Sequence, residues 1–276
     1  MRDRILEVKN LSAGYGDRVI AKDISFSLYT GGIVSLIGPN GSGKTTILKT
    51  LAGFQKPLGG QIEIKGRSFD EVSQKEKSRI MSVMMTERMA TDQMTVKDLV
   101  SIGRFPYTDM LGRLSDEDNK IVEDALNKVG LLDLSEKVYN DLSDGQKQRA
   151  LLARAISQGP ELMILDEPTS YLDIYHKLRF IDILKDLAKE EDIGILMSVH
   201  ELEIAFEVSD RIMCLGEDGE FRMIGTPSEV FSDETISSLY NLDAGRLTKM
   251  YGGFLDAVQG EIVQDKTVQG EIVKER

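Results

Sequence analysis

Gly38-Pro39-Asn40-Gly41-Ser42-Gly43-Lys44-Thr45 decides how the rest of this 276-residue chain is read. Ahead of it, Ile33-Val34-Ser35-Leu36-Ile37 is a short apolar run of the kind that forms a buried strand. Behind it, Lys44-Thr45-Thr46-Ile47-Leu48-Lys49-Thr50-Leu51 has the pattern of a helix stopped at Gly53. Strand, glycine loop and helix start together make a phosphate trap. Glycines let backbone N–H groups close on the oxygens, and the helix N-terminus adds partial positive charge. In such a loop Lys44 reaches the β- and γ-phosphates, and Thr45 ligates Mg²⁺. The pattern should arise by chance in on the order of one per cent of chains this long. A merely flexible Gly/Ser loop is therefore a poor account of it, and the first expectation is binding of a nucleoside triphosphate.

Two further apolar runs end in chemistry-bearing residues. Glu161-Leu162-Met163-Ile164-Leu165-Asp166-Glu167-Pro168 is a strand closing on two acids, and strand ends of parallel sheets are where ligands bind. Asp166 there holds Mg²⁺ through water, and Glu167 polarises the attacking water as general base. A strand followed by a polar turn would explain the segment alone, but not its company with the glycine loop. Ile195-Leu196-Met197-Ser198-Val199 ends at His200, one of two histidines in the chain. Its place at a third strand end favours contact with the γ-phosphate and the attacking water. The other, His176, reads as a surface residue.

A fourth segment, Leu142-Ser143-Asp144-Gly145-Gln146-Lys147-Gln148-Arg149, opens a helix. Ser143 with Gln146 three residues on is a capping-box pattern, and a capped helix start is also an anion site. Capping alone leaves Gly145 unexplained.

Around these motifs, Ile5-Leu6-Glu7-Val8, Asp23-Ile24-Ser25-Phe26-Ser27-Leu28 and Gln61-Ile62-Glu63-Ile64 alternate as half-exposed antiparallel strands do. From about residue 86 to 158 the apolar spacing turns helical, as at Val96, Leu99, Val100 and Ile121, Val122, Ala125, Leu126, Val129. The fold expected is α/β, with a helical insert inside a nucleotide-binding core. At 41% hydrophobic residues, the composition is that of an ordinary soluble protein. The single cysteine, Cys214, excludes an internal disulfide. No run reaches the roughly 18 apolar residues of a membrane span, and no signal-peptide core follows Met1, so a cytoplasmic location is expected. A net charge of −12 with no basic cluster disfavours nucleic acid as a partner. Near the end, Val258-Gln259-Gly260-Glu261-Ile262-Val263 recurs as Val268-Gln269-Gly270-Glu271-Ile272-Val273, which is too few copies for a solenoid.

The order of these motifs resembles the ABC-type ATPases, the motor subunits of ATP-binding cassette transporters, over about residues 6–230. The resemblance rests on the glycine loop, the Leu142-Ser143-Asp144-Gly145-Gln146 signature, the Asp166-Glu167 pair and His200. It implies a P-loop NTPase fold with a RecA-like parallel sheet, an antiparallel β subdomain and a helical insert (about 86–158) carrying the signature. These make up an ATPase domain over residues 1–235, with residues 236–276 as a C-terminal extension. Ser170-Tyr171-Leu172-Asp173 looks like the family's D-loop, which communicates across the dimer through Asp173. Tyr15 stands where the family stacks an aromatic ring on adenine. The resemblance also implies a head-to-tail homodimer with two ATPs, each between one subunit's glycine loop and the other's Ser143-Asp144-Gly145-Gln146. Binding closes the dimer and hydrolysis releases it.

Two positions depart from the family pattern. Asp144 replaces the commoner second glycine, placing a carboxylate near phosphates. Thr86 follows the strand Ile80-Met81-Ser82-Val83-Met84-Met85 where glutamine is usual, so that Mg²⁺ contact there needs a bridging water. Thr95-Val96-Lys97-Asp98-Leu99-Val100-Ser101-Ile102-Gly103-Arg104-Phe105-Pro106-Tyr107 resembles the importer ATPases for iron–siderophore, haem and cobalamin complexes. That implies a motor on permease subunits at the inner membrane face, with an extracytoplasmic substrate-binding protein as an indirect partner. The alternatives are a motor of another transporter class, or a non-transport ABC ATPase of cluster-assembly or regulatory type.

Overall fold

The computed structural model describes residues 2–85, 93–109 and 112–243, together with Lys249 and Gly252. It opens with a β-hairpin, β1 (Arg4–Tyr15) and β2 (Arg18–Tyr29), whose alternating apolar residues turn inward as their period of two requires. The central strand β3 (Ile33–Ile37) follows and is buried throughout. It feeds the glycine loop and helix α1 (Lys44–Leu51). Strands β4 (Gly59–Ile64) and β5 (Arg67–Ser68) complete an antiparallel sheet of order β2-β1-β4-β5.

Helix α2 (Gln74–Ile80) leads into β6 (Met81–Met84). Three helices come next: α3 (Val96–Ser101), α4 (Asp116–Lys128) and α5 (Asp144–Ser157). Each starts on a hydroxyl residue in a capping box, at Thr95, Ser115 and Ser143 respectively. The chain then alternates β7 (Leu162–Asp166), α6 (Ile174–Glu191), β8 (Gly194–Ser198), α7 (Leu202–Val208) and β9 (Arg211–Leu215). Strand β10 (Phe221–Gly225) turns back on β9, and two short helices follow, α8 (Pro227–Val230) and α9 (Asp233–Leu239).

The second sheet has the order β10-β9-β3-β8-β7-β6, parallel except for β10. Strands β3, β7 and β8 are covered on both faces, which is why their sequences are continuous apolar runs. One face packs on α1 and the antiparallel sheet: Ile47, Leu48 and Leu51 lie among Leu6, Val34, Leu36, Ile164 and Leu196. Each of those three helix residues is fully buried and contributes roughly 1.5–3 kcal/mol. The other face packs on α3 to α7, and the buried apolar residues of α3, α4 and α5 join that core.

Fold class and sheet types agree with expectation. Residues Ile236 and Leu239 of α9 are buried in the main core, so the expected boundary at residue 235 falls inside a packed helix. Cys214 is buried in β9, and burial pushes its thiol up to about 12. Thr86 and the repeated segments at 258–273 lie outside the described residues. No helix among the described residues is long and apolar enough to cross a membrane.

Candidate nucleotide site

The loop between β3 and α1 turns through conformations that side chains disfavour. Gly41 and Gly43 have φ of +83° and +93°, deep in the region that glycine alone adopts freely. Gly43 also meets the hairpin, since a Cβ there would lie 2.8 Å from Ile20. At the loop's end, Lys44 is only 5% exposed. Its Nζ donates to the carbonyls of Gly38 (2.8 Å) and Pro39 (3.0 Å). Burial holds this ammonium below the ordinary lysine value, opposed by the nearby Glu167 and Asp166 carboxylates. The Ser42 hydroxyl is buried with no partner, an orphan inside the loop.

Sheet register brings the acids to this loop. In the parallel ladder Asp166 ends β7 opposite Ser198, which ends β8. Thr45 Oγ1 donates to Asp166 at 2.9 Å, joining the helix start to the strand end. Just past the strand, Glu167 takes a left-handed backbone, φ +49°. That turn points its carboxylate at His200, whose Nε2 lies 2.5 Å from Glu167 Oε1. Between loop and acids is a cleft of about 460 Å³, lined by Ile20, Asn40, Gly41, Gly43, Lys44, Thr45, Thr46, Glu167 and His200. Lysine and helix start offer positive charge to it, Glu167 lines it as well, and Asp166 lies buried behind Thr45. The Thr45–Asp166 pair offers oxygen donors only, the kind that suits a hard divalent cation sharing phosphate oxygens and water.

Other expected residues lie elsewhere. Ser143 caps α5, accepting from the N–H of Gln146 and donating its own N–H to the Gln146 side chain. Ser143 and Asp144 are exposed, and none of Ser143, Asp144, Gly145 or Gln146 lines the cleft. A Cβ on Gly145 would lie 3.4 Å from Leu172, an ordinary contact, so the first turn of α5 sits against the segment Tyr171-Leu172. Asp173 caps α6, and the His176 N–H it accepts holds its carboxyl below the usual range. Tyr15 is 54% exposed and lines a neighbouring groove with Lys49, Phe54 and Met85.

Two polar contributors were not singled out from sequence. Ser198 donates to Asp166 Oδ1 at 2.7 Å and accepts from the Glu167 N–H at 2.9 Å. Gln148 donates to the Pro168 carbonyl at 3.0 Å, tying α5 to the turn after Glu167. The available signal was a polar residue inside an otherwise buried apolar pattern, since polar side chains are seldom fully buried without a partner.

This loop, these strand ends and this detached helix start belong together in one class of molecule, a P-loop nucleotide-binding cassette. The ABC transporter family model matches residues 21–170, and the chain belongs to that family. It is 39% identical over 243 residues to the iron(3+)-hydroxamate import ATP-binding protein FhuC of Bacillus subtilis, spanning 88% of this chain and 90% of that one. It is 38% identical to an uncharacterized ABC transporter ATP-binding protein, MJ0873, of Methanocaldococcus jannaschii, over 91% of this chain and 86% of that one. Among solved structures, an inward-facing ABC transporter assigned to the metal-chelate type superposes with TM-score 0.75 at 26% identity, covering 86% of this chain and 89% of that one.

Proposed function

We propose that this chain is the ATP-hydrolysing motor subunit of an importer, energising uptake of an iron–siderophore, haem or cobalamin-type metal chelate through a separate permease. The observation that carries the reading is the convergence of Lys44, Thr45, Glu167 and His200 on one cleft, with the buried Asp166 held behind Thr45. The importer assignment is supported by the likeness to the hydroxamate import protein and the metal-chelate transporter.

Lys44 exchanges its two loop carbonyls for phosphate oxygens, and the orphaned Ser42 hydroxyl and loop amides supply further donors. Glu167 accepts a proton from the attacking water, and His200 orients that carboxylate from 2.5 Å. Thr45 and Asp166 fit Mg²⁺, which when bound neutralises charge on the phosphate oxygens. Tyr15 is the proposed partner of adenine. Ser143-Asp144-Gly145-Gln146 carries backbone donors and the dipole of α5 but no base, so its proposed role is to close on the ATP of a second copy. Asp173 carries that contact into the D-loop. The remaining partners proposed are the permease, which holds the motor at the cytoplasmic face of the membrane, and indirectly an extracytoplasmic binding protein.

The test is co-purification of tagged Glu167→Gln protein with ATP from gently solubilised membranes. This variant is expected to bind ATP, lose at least about a hundredfold in hydrolysis, and retain a polytopic permease of the iron-chelate or cobalamin type. Recovery with a cytoplasmic partner alone would move the protein to the non-transport class.

A further inference from the structure

We propose that Ser198 is a positioning residue for ATP hydrolysis, because its one buried hydroxyl fixes both acids of the site: the carboxylate of Asp166 and the backbone of Glu167. The inference rests on the roles given to those two residues above.

Ser198 is the last residue of β8 and has no exposed surface. It is the sole hydroxyl in a strand that otherwise reads Gly194-Ile195-Leu196-Met197. A hydroxyl in that position is costly unless it is hydrogen-bonded, and both of its bonds go to the site. A serine hydroxyl has one proton to give and lone pairs to receive. The Glu167 N–H can only donate, so it takes a lone pair of Ser198 at 2.9 Å. The Ser198 proton is then committed to Asp166 Oδ1 at 2.7 Å. The direction of both bonds follows from the chemistry of the partners.

Each bond answers a need. Asp166 is 3% exposed, and Thr45 also donates to it, reaching both carboxylate oxygens at 2.9 and 3.2 Å. If Thr45 turns toward a ligand, Ser198 remains as a fixed donor on Oδ1. Glu167 has φ +49°, a backbone that non-glycine residues hold only when their surroundings impose it. Ser198 pins the N–H side of this turn, and Gln148 pins the carbonyl side through Glu167 (3.4 Å) and Pro168 (3.0 Å). The turn points the Glu167 carboxylate at His200 and the cleft. The register pair Asp166 with Ser198 makes the arrangement possible, since it sets the hydroxyl level with the point where β7 ends.

Removing the hydroxyl should leave a buried N–H without a partner and one carboxylate oxygen without its fixed donor. Nucleotide contacts of the loop itself would remain. Because misplacement of a reacting group by about 1 Å costs about a hundredfold in rate, the effect belongs in kcat rather than KM.

The experiment compares Ser198→Ala, Ser198→Thr and Ser198→Val in the full chain, with Glu167→Gln alongside. For Ser198→Ala we expect kcat to fall about thirtyfold, with KM and the metal-free affinity for a fluorescent ATP analogue within about threefold of the parent. Mn²⁺ affinity of the nucleotide-bound protein, read by electron paramagnetic resonance, should weaken about tenfold. Threonine and valine have nearly the same shape and differ in the hydroxyl. Ser198→Thr should recover most of kcat, and Ser198→Val should match alanine. Equal kcat for the threonine and valine variants, or an alanine variant within twofold of the parent, overturns the proposal. So does failure of the alanine and threonine variants alike to fold, which would assign the hydroxyl to stability. If Glu167→Gln hydrolyses ATP as the parent does, the acid assignment itself falls. If Glu167→Gln is inactive while Ser198→Ala is unimpaired, only the role of Ser198 falls.

Discussion

The strand-end cleft and the start of α5, the two regions that the proposed function assigns to ATP, are built differently. At the cleft, Thr45, Asp166, Ser198, Glu167 and His200 form an unbroken chain of hydrogen bonds drawn from α1, β7, β8 and the turns after them. At the helix start, the side chains of Ser143 and Gln146 are taken up in a local capping box, and Asp144 is exposed. The first region is organised for bond breaking by long-range sheet register. The second is a local device that any capped helix could form. The contrast fits the proposed roles: the cleft would take this copy's nucleotide and the helix start another subunit's, which would make a single copy half of a working pair.

The largest test of that contrast is Lys44→Ala. Losing one partner of a buried charged hydrogen-bond pair costs about 2–5 kcal/mol, which is at least a thirtyfold loss of affinity and about three hundredfold at mid-range. ATP affinity measured by equilibrium binding should fall accordingly in isolated protein, with no contribution from the second copy. Equal affinity in variant and parent would remove the cleft from the phosphate-binding role.

Ser143→Ala probes the other region and should divide its effects in the opposite way. ATP binding by dilute monomer stays at the parent value, because Ser143 does not line the cleft. ATP-driven association of the Glu167→Gln background, followed by light scattering, weakens about tenfold. Loss of the cap costs about 1 kcal/mol in thermal stability. If monomer binding and association fall together, the two regions are not separable and the half-site picture fails.

What was legible in sequence follows the same division. Motifs whose geometry is set within a few residues could be read directly: the glycine loop, the capping box at Ser143, and the apolar strands ending at Asp166 and near His200. Contacts set by register or by helix packing could not. Ser198 is significant only because β8 pairs with β7 so that it faces Asp166, and nothing local to Met197-Ser198-Val199 specifies that pairing. Gln148 reads as one more polar residue of an amphipathic helix until α5 is packed on the turn at Pro168. The phosphate role expected of Lys44 rests on the local motif, whereas its bonds to the Gly38 and Pro39 carbonyls depend on how the loop folds. The boundary at residue 235 comes with the family resemblance, and the burial of Ile236 and Leu239 depends on how the short helix α9 packs on the core.

Asp144→Gly is the smallest and sharpest perturbation, since it restores the family's commoner residue at the open helix start. Two opposing effects follow. The carboxylate in the first turn of α5 stabilises its own helix by about 0.3–1 kcal/mol, and glycine there lacks both that charge and good helix propensity. The variant should therefore melt a few degrees lower. The same carboxylate opposes an incoming phosphate, however, so its removal should tighten ATP-driven association of the Glu167→Gln background. A threefold gain corresponds to about 0.6 kcal/mol, a reasonable size for an exposed charge near an anion. The gain should shrink as salt rises, because the screening length falls from about 8 Å near 0.15 M toward about 3 Å at 1 M. Association unchanged at low salt, with melting lowered as expected, would mean that no phosphate comes near Asp144. The start of α5 would then be an ordinary capped helix, and the cleft alone would carry the nucleotide.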